Sequence, residues 1–224
     1  MDTPAAQRKS PTPQPPALFS GWPLLGVIAA LLGAMAIAIL AAMPGVDGIR
    51  MLIRATARTS VTFFLLAFLA SAAWSLWPGA ATRWVRANRR QLGLAFAISH
   101  LIHAGAIYAL SREDPALFAQ LVMPGTFITG GSAYLLLLLM AATSFDTTAA
   151  WLGRRNWRVL HTVGIWYLWV SFMVTFGKRV SQGPFYAVMM AVLLAALGVR
   201  ITAFIAARMK ARAAQPALKQ SSSP

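Results

Sequence analysis

Three histidines and one arginine stand inside apolar stretches and are the main candidates for chemistry in this sequence. His100 and His103 lie three residues apart in the stretch RRQLGLAFAISHLIHAG. His161 lies in WRVLHTVGIWYLWVSF, and Arg200 lies in the last apolar stretch of the chain. Ionisable side chains are costly in hydrocarbon and are functional candidates by default. Imidazoles in such surroundings bind haem iron, zinc or copper, or hydrogen-bond a neighbouring helix.

The apolar stretches are long enough to be transmembrane helices. The chain has 224 residues, of which 58% are hydrophobic and 11% charged, with a mean hydropathy of +0.63. Soluble domains carry roughly twice that charged fraction, and about 20 apolar residues cross a hydrocarbon core of ~30 Å as a helix. We therefore expect an all-α fold, a polytopic membrane protein built as a six-transmembrane-helix bundle. The six spans are predicted at residues 22–43, 59–77, 91–110, 125–143, 157–177 and 184–207.

Little of the chain lies outside these runs, so we predict one membrane domain at residues 21–208. Residues 1–20 are rich in proline and polar side chains, and residues 209–224 end in serine and proline. Both compositions are typical of disordered segments, which we interpret as a leader and a tail. The first apolar run is long and lacks a small-residue cleavage site, so we interpret it as a retained helix rather than a cleaved signal peptide.

The distribution of the basic residues predicts the orientation of the chain. The net charge is +15. With a cytoplasmic N-terminus, thirteen basic residues fall in inner segments and six in outer segments, and the inverted topology would reverse this split. The positive-inside rule therefore predicts that both termini are cytoplasmic. We interpret the positive charge as a topology signal with anionic membrane lipid as its partner, and we expect no nucleic acid partner.

The chain lacks the residues and motifs on which most classes of enzyme depend. There is no cysteine, which excludes disulfides, iron–sulfur clusters and thiol catalysis. The five acidic residues all fall in predicted tails or loops, which argues against a proton pump or a carboxylate-bound metal. No phosphate-binding loop, GxSxG or HExxH motif is present. No catalytic residue is predicted, and any electron donor or acceptor is expected to be another molecule.

The spacing of the histidines leaves two interpretations open. His100 and His103 share one helix face, and the third and fifth spans run in the same direction, so we expect them to be parallel neighbours. A haem held between His161 and a histidine of the third span is one interpretation, and hydrogen bonding between helices is the other. With a rise of 1.5 Å per residue, His100 lies about 15 Å and His103 about 19.5 Å beyond Arg90, whereas His161 lies about 9 Å beyond Arg155. Height therefore favours His100 over His103, and a closed zinc or copper site would need further ligands.

The sequence resembles the ferric reductase-like transmembrane family. The resemblance rests on RRQLGLAFAISHLIH, FITGGSAYLLLLLMAATS and WLGRRNWRVLHTVGIWY, and it covers roughly residues 54–200. It is strongest to the haem-binding membrane subunits of periplasmic methionine sulfoxide reductase systems. The resemblance implies a b-type cytochrome of the bacterial inner membrane. His103 matches the haem ligand of the third helix and His161 the first histidine of the fifth, whereas Val174 stands where the family commonly has a second.

These observations lead to two functional expectations. The first is a haem b electron-transfer subunit that passes electrons from a quinol or a flavoprotein to an acceptor protein on the outer side of the membrane. In it, His100, His103 and His161 are candidate iron ligands, and Arg54, Arg58 and Arg200 are candidate contacts to haem propionates or to a quinone. The alternative is a haem-free membrane scaffold or sensor that keeps the fold. Snorkelling to the membrane surface is a further interpretation of Arg200.

Overall fold

The computed structural model describes residues 17–122 and 124–221, and every regular element among them is a helix. Within these described residues, six helices are long and apolar enough to cross a membrane, which confirms the prediction of an all-α polytopic bundle. They are α1 (Gly21–Ala42), α2 (Val46–Leu76), α4 (Arg89–Glu113), α6 (Pro124–Ala142), α8 (Arg154–Gly177) and α9 (Pro184–Ser221). Three short helices join them: α3 (Ala80–Ala87), α5 (Pro115–Leu121) and α7 (Asp146–Leu152). Single 3-10 turns occupy Ala17–Phe19 and Val180–Gln182.

Two of the long helices extend beyond the spans that hydropathy predicts. Helix α2 begins at Val46 rather than at residue 59, so Arg54 and Arg58 lie in its first half and not in a loop. Helix α9 continues to Ser221 through most of the segment predicted to be a disordered tail. That segment is rich in alanine, lysine and arginine, which have high helix propensity. Of the predicted leader, residues 1–16 lie outside the described part of the chain.

The contacts between helices show an antiparallel arrangement of neighbours along the chain. Helix α4 packs along α2 in the antiparallel direction. Ser60 contacts Ser99, whereas Phe64, later on α2, contacts Phe96, which is earlier on α4. Helix α6 contacts both α4 and α8. Helix α9 packs on α2 and on α8. The third and fifth predicted spans, α4 and α8, thus share α6 as a common neighbour and meet directly through aromatic side chains.

An aromatic core joins α2, α4 and α8 in the middle of the bundle. The rings of Phe64 and Phe172 lie 5.1 Å apart, and each also packs against Phe96, at 5.6 Å and 6.0 Å. Phe64 and Phe96 are at most 4% exposed, and Phe172 is also buried. Aromatic pairs at these distances contribute beyond the burial of their area. This core fixes the level of α8 against α2 and α4.

One end of the bundle, here called the Asp146 end, is held by polar contacts. Asn88, between α3 and α4, is buried, and its Oδ1 accepts a hydrogen bond of 2.9 Å from the backbone N–H of Gly21 at the start of α1. The guanidinium of Arg90 donates two hydrogen bonds to the carboxylate of Asp146, one of them 3.2 Å long. The first residues of α1, α4 and α7 are thereby tied together.

The outer surface of the bundle is apolar, as lipid contact requires. In α1, only 11% of the most hydropathic window is buried inside the protein. Large side chains such as Leu31, Ile37, Ile128 and Leu135 are more than half exposed. In a soluble protein such a surface would aggregate, whereas in a bilayer it faces hydrocarbon. The chain is thus a multi-pass membrane protein in contact with lipid.

Candidate functional site

His100 and His103 form a stacked pair on the face of α4 that looks toward α2 and α6. Their ring centroids lie 5.3 Å apart, with 15° between the ring planes. Tyr134 of α6 stacks on the His100 ring at 4.8 Å, and its hydroxyl donates a hydrogen bond of 3.3 Å to the His100 backbone carbonyl. The predicted shared face of the two histidines is therefore realised, and an aromatic ring from a third helix covers it.

His103 is anchored to α2 through one ring nitrogen. Its Nδ1 lies 3.1 Å from the carbonyl oxygen of Ile53 and 3.0 Å from Oγ1 of Thr56. The Thr56 hydroxyl itself donates to the carbonyl of Leu52 at 2.6 Å. The consistent assignment places a hydrogen on Nδ1, which donates to both oxygens. In that tautomer Nε2 carries a lone pair and is directed away from α2.

A cluster of buried hydroxyl groups continues from His103 toward the core. Thr56, Ser60 and Ser99 are all 0% exposed. The Ser99 oxygen lies 2.9 Å from that of Ser60 and 2.7 Å from that of Thr59, and it donates to the backbone carbonyl of Thr56 at 3.2 Å. Each of these hydroxyls has a partner, as groups buried in a membrane require. The cluster joins α2 to α4.

Within the described residues, one atom of this region lacks a hydrogen bond. His100 Nδ1 is buried and has no partner, while the ring lies between Phe96, His103 and Tyr134. An unpaired buried nitrogen costs free energy relative to a bonded one. His100 is therefore the histidine whose ring atoms are least committed to holding the helices together.

His161 occupies a separate site near the Asp146 end. Its Nε2 lies 3.1 Å from Oγ1 of Thr143, the residue that follows α6. Trp157, one turn earlier on α8, stacks on the imidazole at 4.2 Å and donates a hydrogen bond of 2.9 Å to the Thr143 backbone carbonyl. The nitrogen that most often binds haem iron is thus engaged by a hydroxyl.

His161 and His100 lie at different depths in the bundle, as their contact residues on α6 and on α8 show. On α6, the partner of His100 is Tyr134 and the partner of His161 is Thr143, nine residues later, which corresponds to about 13.5 Å of helix. On α8, the ring that packs against His100 is Phe172, 6.3 Å away. It lies eleven residues beyond His161, or about 16.5 Å. The structure brings His100 and His103 together and keeps His161 apart from them.

The residues do not fit one haem held between α4 and α8. Imidazole nitrogens bind metals at roughly 2 Å, so two axial nitrogens stand roughly 4 Å apart across the iron. The level difference of His161 exceeds that several times, and Phe96 and Phe172 fill the space beside His100.

The three candidate arginines lie at two different places. Arg54 and Arg58 are exposed on the turns of α2 that hold His103, and the Arg58 guanidinium stands 4.7 Å from the Phe185 ring centroid. Arg200 donates a hydrogen bond of 2.9 Å to the Phe68 carbonyl and lies over the Phe68 ring at 4.3 Å. The structure therefore does not bring Arg200 together with Arg54 and Arg58.

Sequence reasoning did not predict the hydroxyl cluster, although its spacing is visible. Thr56 and Ser60 are four residues apart on α2, and Ser99 and His103 are four apart on α4. Two polar pairs at that spacing in neighbouring spans place both pairs on facing stripes. Tyr134 and Asn88 carry no comparable signal, since each is a single residue.

At the Asp146 end, one carboxyl group outside the spans has a shifted pKa. The Arg90 guanidinium, through its hydrogen bonds and its positive charge, lowers the pKa of the Asp146 carboxyl below its ordinary value. Both side chains are substantially exposed to solvent, so the pair is screened by salt and makes a small contribution to stability.

No protein-family model, curated protein or solved structure matches the chain. The resemblance to the ferric reductase-like family therefore stays a prediction that rests on the sequence motifs. The geometry of the histidines and arginines is what bears on function.

Proposed function

We propose that the chain is a haem-free membrane scaffold or sensor whose histidines join transmembrane helices. The observation that carries this proposal is the separation in depth between His161 and His100, about 13.5 Å along α6 by the rise of a helix. In this arrangement of the helices, His100 and His161 do not reach the same iron. Instead, His103 contacts α2 and His161 contacts the end of α6, each at its own depth in the bundle.

The contacts of two of the histidines support a role in helix packing. His103 bonds a carbonyl and a hydroxyl of α2, and His161 bonds a hydroxyl at the end of α6. Polar bonds of this kind between membrane helices contribute about 0.6 kcal/mol on average. His100, with its unpaired Nδ1, is the group that a sensor would use, because its bonding can change without breaking an existing contact.

An absorption spectrum of the purified protein tests this proposal. The full chain is expressed in haem-replete cells together with excess haem precursor, and a known b-type membrane cytochrome is purified in parallel as the control. We expect no reduced b-type bands from the chain at a protein concentration that gives strong bands for the control. Stoichiometric reduced bands would overturn the haem-free proposal.

A second candidate, a haem b electron-transfer protein, is favoured by the anchoring of His103. Haem and metal ligands commonly bind through one ring nitrogen while the other donates to a carbonyl, and the Nδ1 contacts of His103 have that pattern. Haem would supply one-electron transfer from a quinol or flavoprotein to an acceptor on the outer side. If bands appear, their loss in His103→Ala and retention in His161→Ala would support a site at His103 alone. Loss in both variants would indicate that the helices move to bring the two histidines to one iron.

We propose further that both termini are cytoplasmic and that the membrane is the bacterial inner membrane. The support for the orientation is the charge distribution, since Arg83, Arg86, Arg89 and Arg90 precede or begin α4 at the same end as the arginines that begin α8. The positive-inside rule places such an end in the cytoplasm. The support for the bacterial membrane is the sequence resemblance alone.

A further inference from the structure

A cavity of about 260 Å³ opens at the Asp146 end between α2, α4 and α9. Its position follows from its lining, because Ser75 lies one residue before the end of α2 and Arg89 is the first residue of α4. The lining has a polar side and an apolar side. The polar side is formed by Ser71, Ser75, Arg89 and Arg200, and the apolar side includes Phe68 and Phe204.

Arg200 is fixed in the wall of this cavity by α2. One of its guanidinium nitrogens donates to the Phe68 carbonyl at 2.9 Å. The guanidinium also lies 4.3 Å from the Phe68 ring centroid and 5.1 Å from that of Trp166. These contacts use one N–H of the five that a guanidinium carries. A positioned arginine with unused donors is well suited to a phosphate or carboxylate.

Arg89 adds a second positive charge that no carboxylate offsets. Among the described residues, neither Arg89 nor Arg200 has an acidic side chain within 4 Å, whereas the neighbouring Arg90 is paired with Asp146. No acidic residue of the described part of the chain lines the cavity. Two arginines that share a cavity repel each other, and an anion bound between them would remove that repulsion.

The apolar side of the cavity indicates what kind of anion fits. Phe204 follows Arg200 by one turn on α9 and is 57% exposed, so its ring borders the cavity on the side that faces the bilayer. Ser75 and Arg89 lie at helix ends, at the level of lipid headgroups, and Ser71 lies one turn deeper on α2. Basic pockets between transmembrane helices on the cytoplasmic side bind anionic headgroups. A free inorganic anion would gain nothing from the apolar wall.

We infer that this cavity binds the phosphate of an anionic phospholipid headgroup. Arg200 and Arg89 contact the phosphate oxygens, and the exposed Ser71 hydroxyl in the cavity wall is a further donor. The acyl chains extend past the exposed Phe204 ring into the surrounding hydrocarbon. This site is independent of whether the histidines bind haem.

Native mass spectrometry of the full chain in detergent tests the inference. The protein is titrated separately with phosphatidylglycerol, phosphatidylcholine and inorganic phosphate. We expect phosphatidylglycerol to bind more tightly than phosphatidylcholine. Arg89→Gln and Arg200→Gln should each weaken phosphatidylglycerol binding about five-fold, the effect of about one arginine near a headgroup. Arg54→Gln is the matched control, since it removes an exposed arginine of α2 at the opposite end.

The remaining outcomes decide between this site and its alternatives. Equal binding of the two lipids, or equal weakening by Arg54→Gln, would show that the arginines attract anions only as part of the net charge. Displacement of phosphatidylglycerol by inorganic phosphate at equal concentration would identify a soluble phosphate compound as the ligand. If Arg200→Gln does not fold, Arg200→Lys is used in its place, because it keeps the positive charge and removes only the guanidinium. In a protein that melts as the wild type does, loss of lipid preference in Arg200→Lys would also contradict simple charge attraction and support the guanidinium contact.

Discussion

Replacing Thr56 by valine tests whether His103 stabilises the bundle as a link between helices. Valine keeps the shape of threonine and removes the hydroxyl that lies 3.0 Å from His103 Nδ1. The nitrogen keeps its contact with the Ile53 carbonyl at 3.1 Å, so one of its two partners is lost. We expect the free energy of unfolding to fall by about 0.6 kcal/mol, with an upper bound of about 1.7 kcal/mol, as measured for bonds between membrane helices.

A double-mutant cycle isolates this bond from the other effects of the substitution. His103→Leu removes both contacts of the nitrogen, and the double variant with Thr56→Val gives the coupling free energy. The assay is reversible unfolding in mixed micelles, followed by circular dichroism. Thr62→Val is the control, because Thr62 is an exposed residue of the same helix whose hydroxyl donates only to the Arg58 carbonyl. A coupling indistinguishable from zero, or an equal loss in Thr62→Val, would refute the proposed link.

Three further predictions concern the start of α2, the Asp146 end and the orientation in the membrane. Gly48→Ala should destabilise the protein by about 1–3 kcal/mol in thermal unfolding, because its added Cβ would stand 1.7 Å from the Met43 carbonyl oxygen; Gly105→Ala, where nothing lies within 4 Å, should not destabilise it. Pairing with Arg90 lowers the pKa of the Asp146 carboxyl. The contribution of the pair to stability is therefore present above the unfolded pKa of about 3.9 and is lost as pH falls through the lower pKa of the folded protein. Asp146→Asn should therefore flatten the acid limb of a stability–pH curve, and an unchanged limb would show that the pair is inactive in solution. A reporter enzyme joined after α5 should be active in the periplasm and one joined to the C-terminus active in the cytoplasm, and the opposite pattern would invert the proposed orientation.

Two cavities of the described structure can be compared with the positions of the histidines. One lies at the Asp146 end, and the other, of about 340 Å³, lies beside Tyr108, Phe118 and Tyr134. Neither is lined by a histidine. The Phe172 ring packs next to His100 at 6.3 Å, so a group bound on that side of His100 would displace this ring.

The sequence by itself determined the six spans and the class of fold. Hydropathy is a local property, and about 20 apolar residues form a membrane helix wherever they occur because every backbone polar group must be bonded within the segment. The shared face of His100 and His103 is local too, because it depends only on the helical repeat. The start of α2 was not predicted from hydropathy, since its first half carries Arg50, Arg54 and Arg58.

Only the tertiary structure decided which residues meet across helices. The level of His161 relative to His100 depends on how α6 and α8 slide against α4, and that position is set by Phe64, Phe96 and Phe172. Heights counted from the ends of the predicted spans could not give it, because the helices begin at different depths. The cavity between Arg89 and Arg200 has the same origin, since its two charges are 111 positions apart in the sequence. Side-chain packing between helices brings them together, and no local pattern encodes that contact.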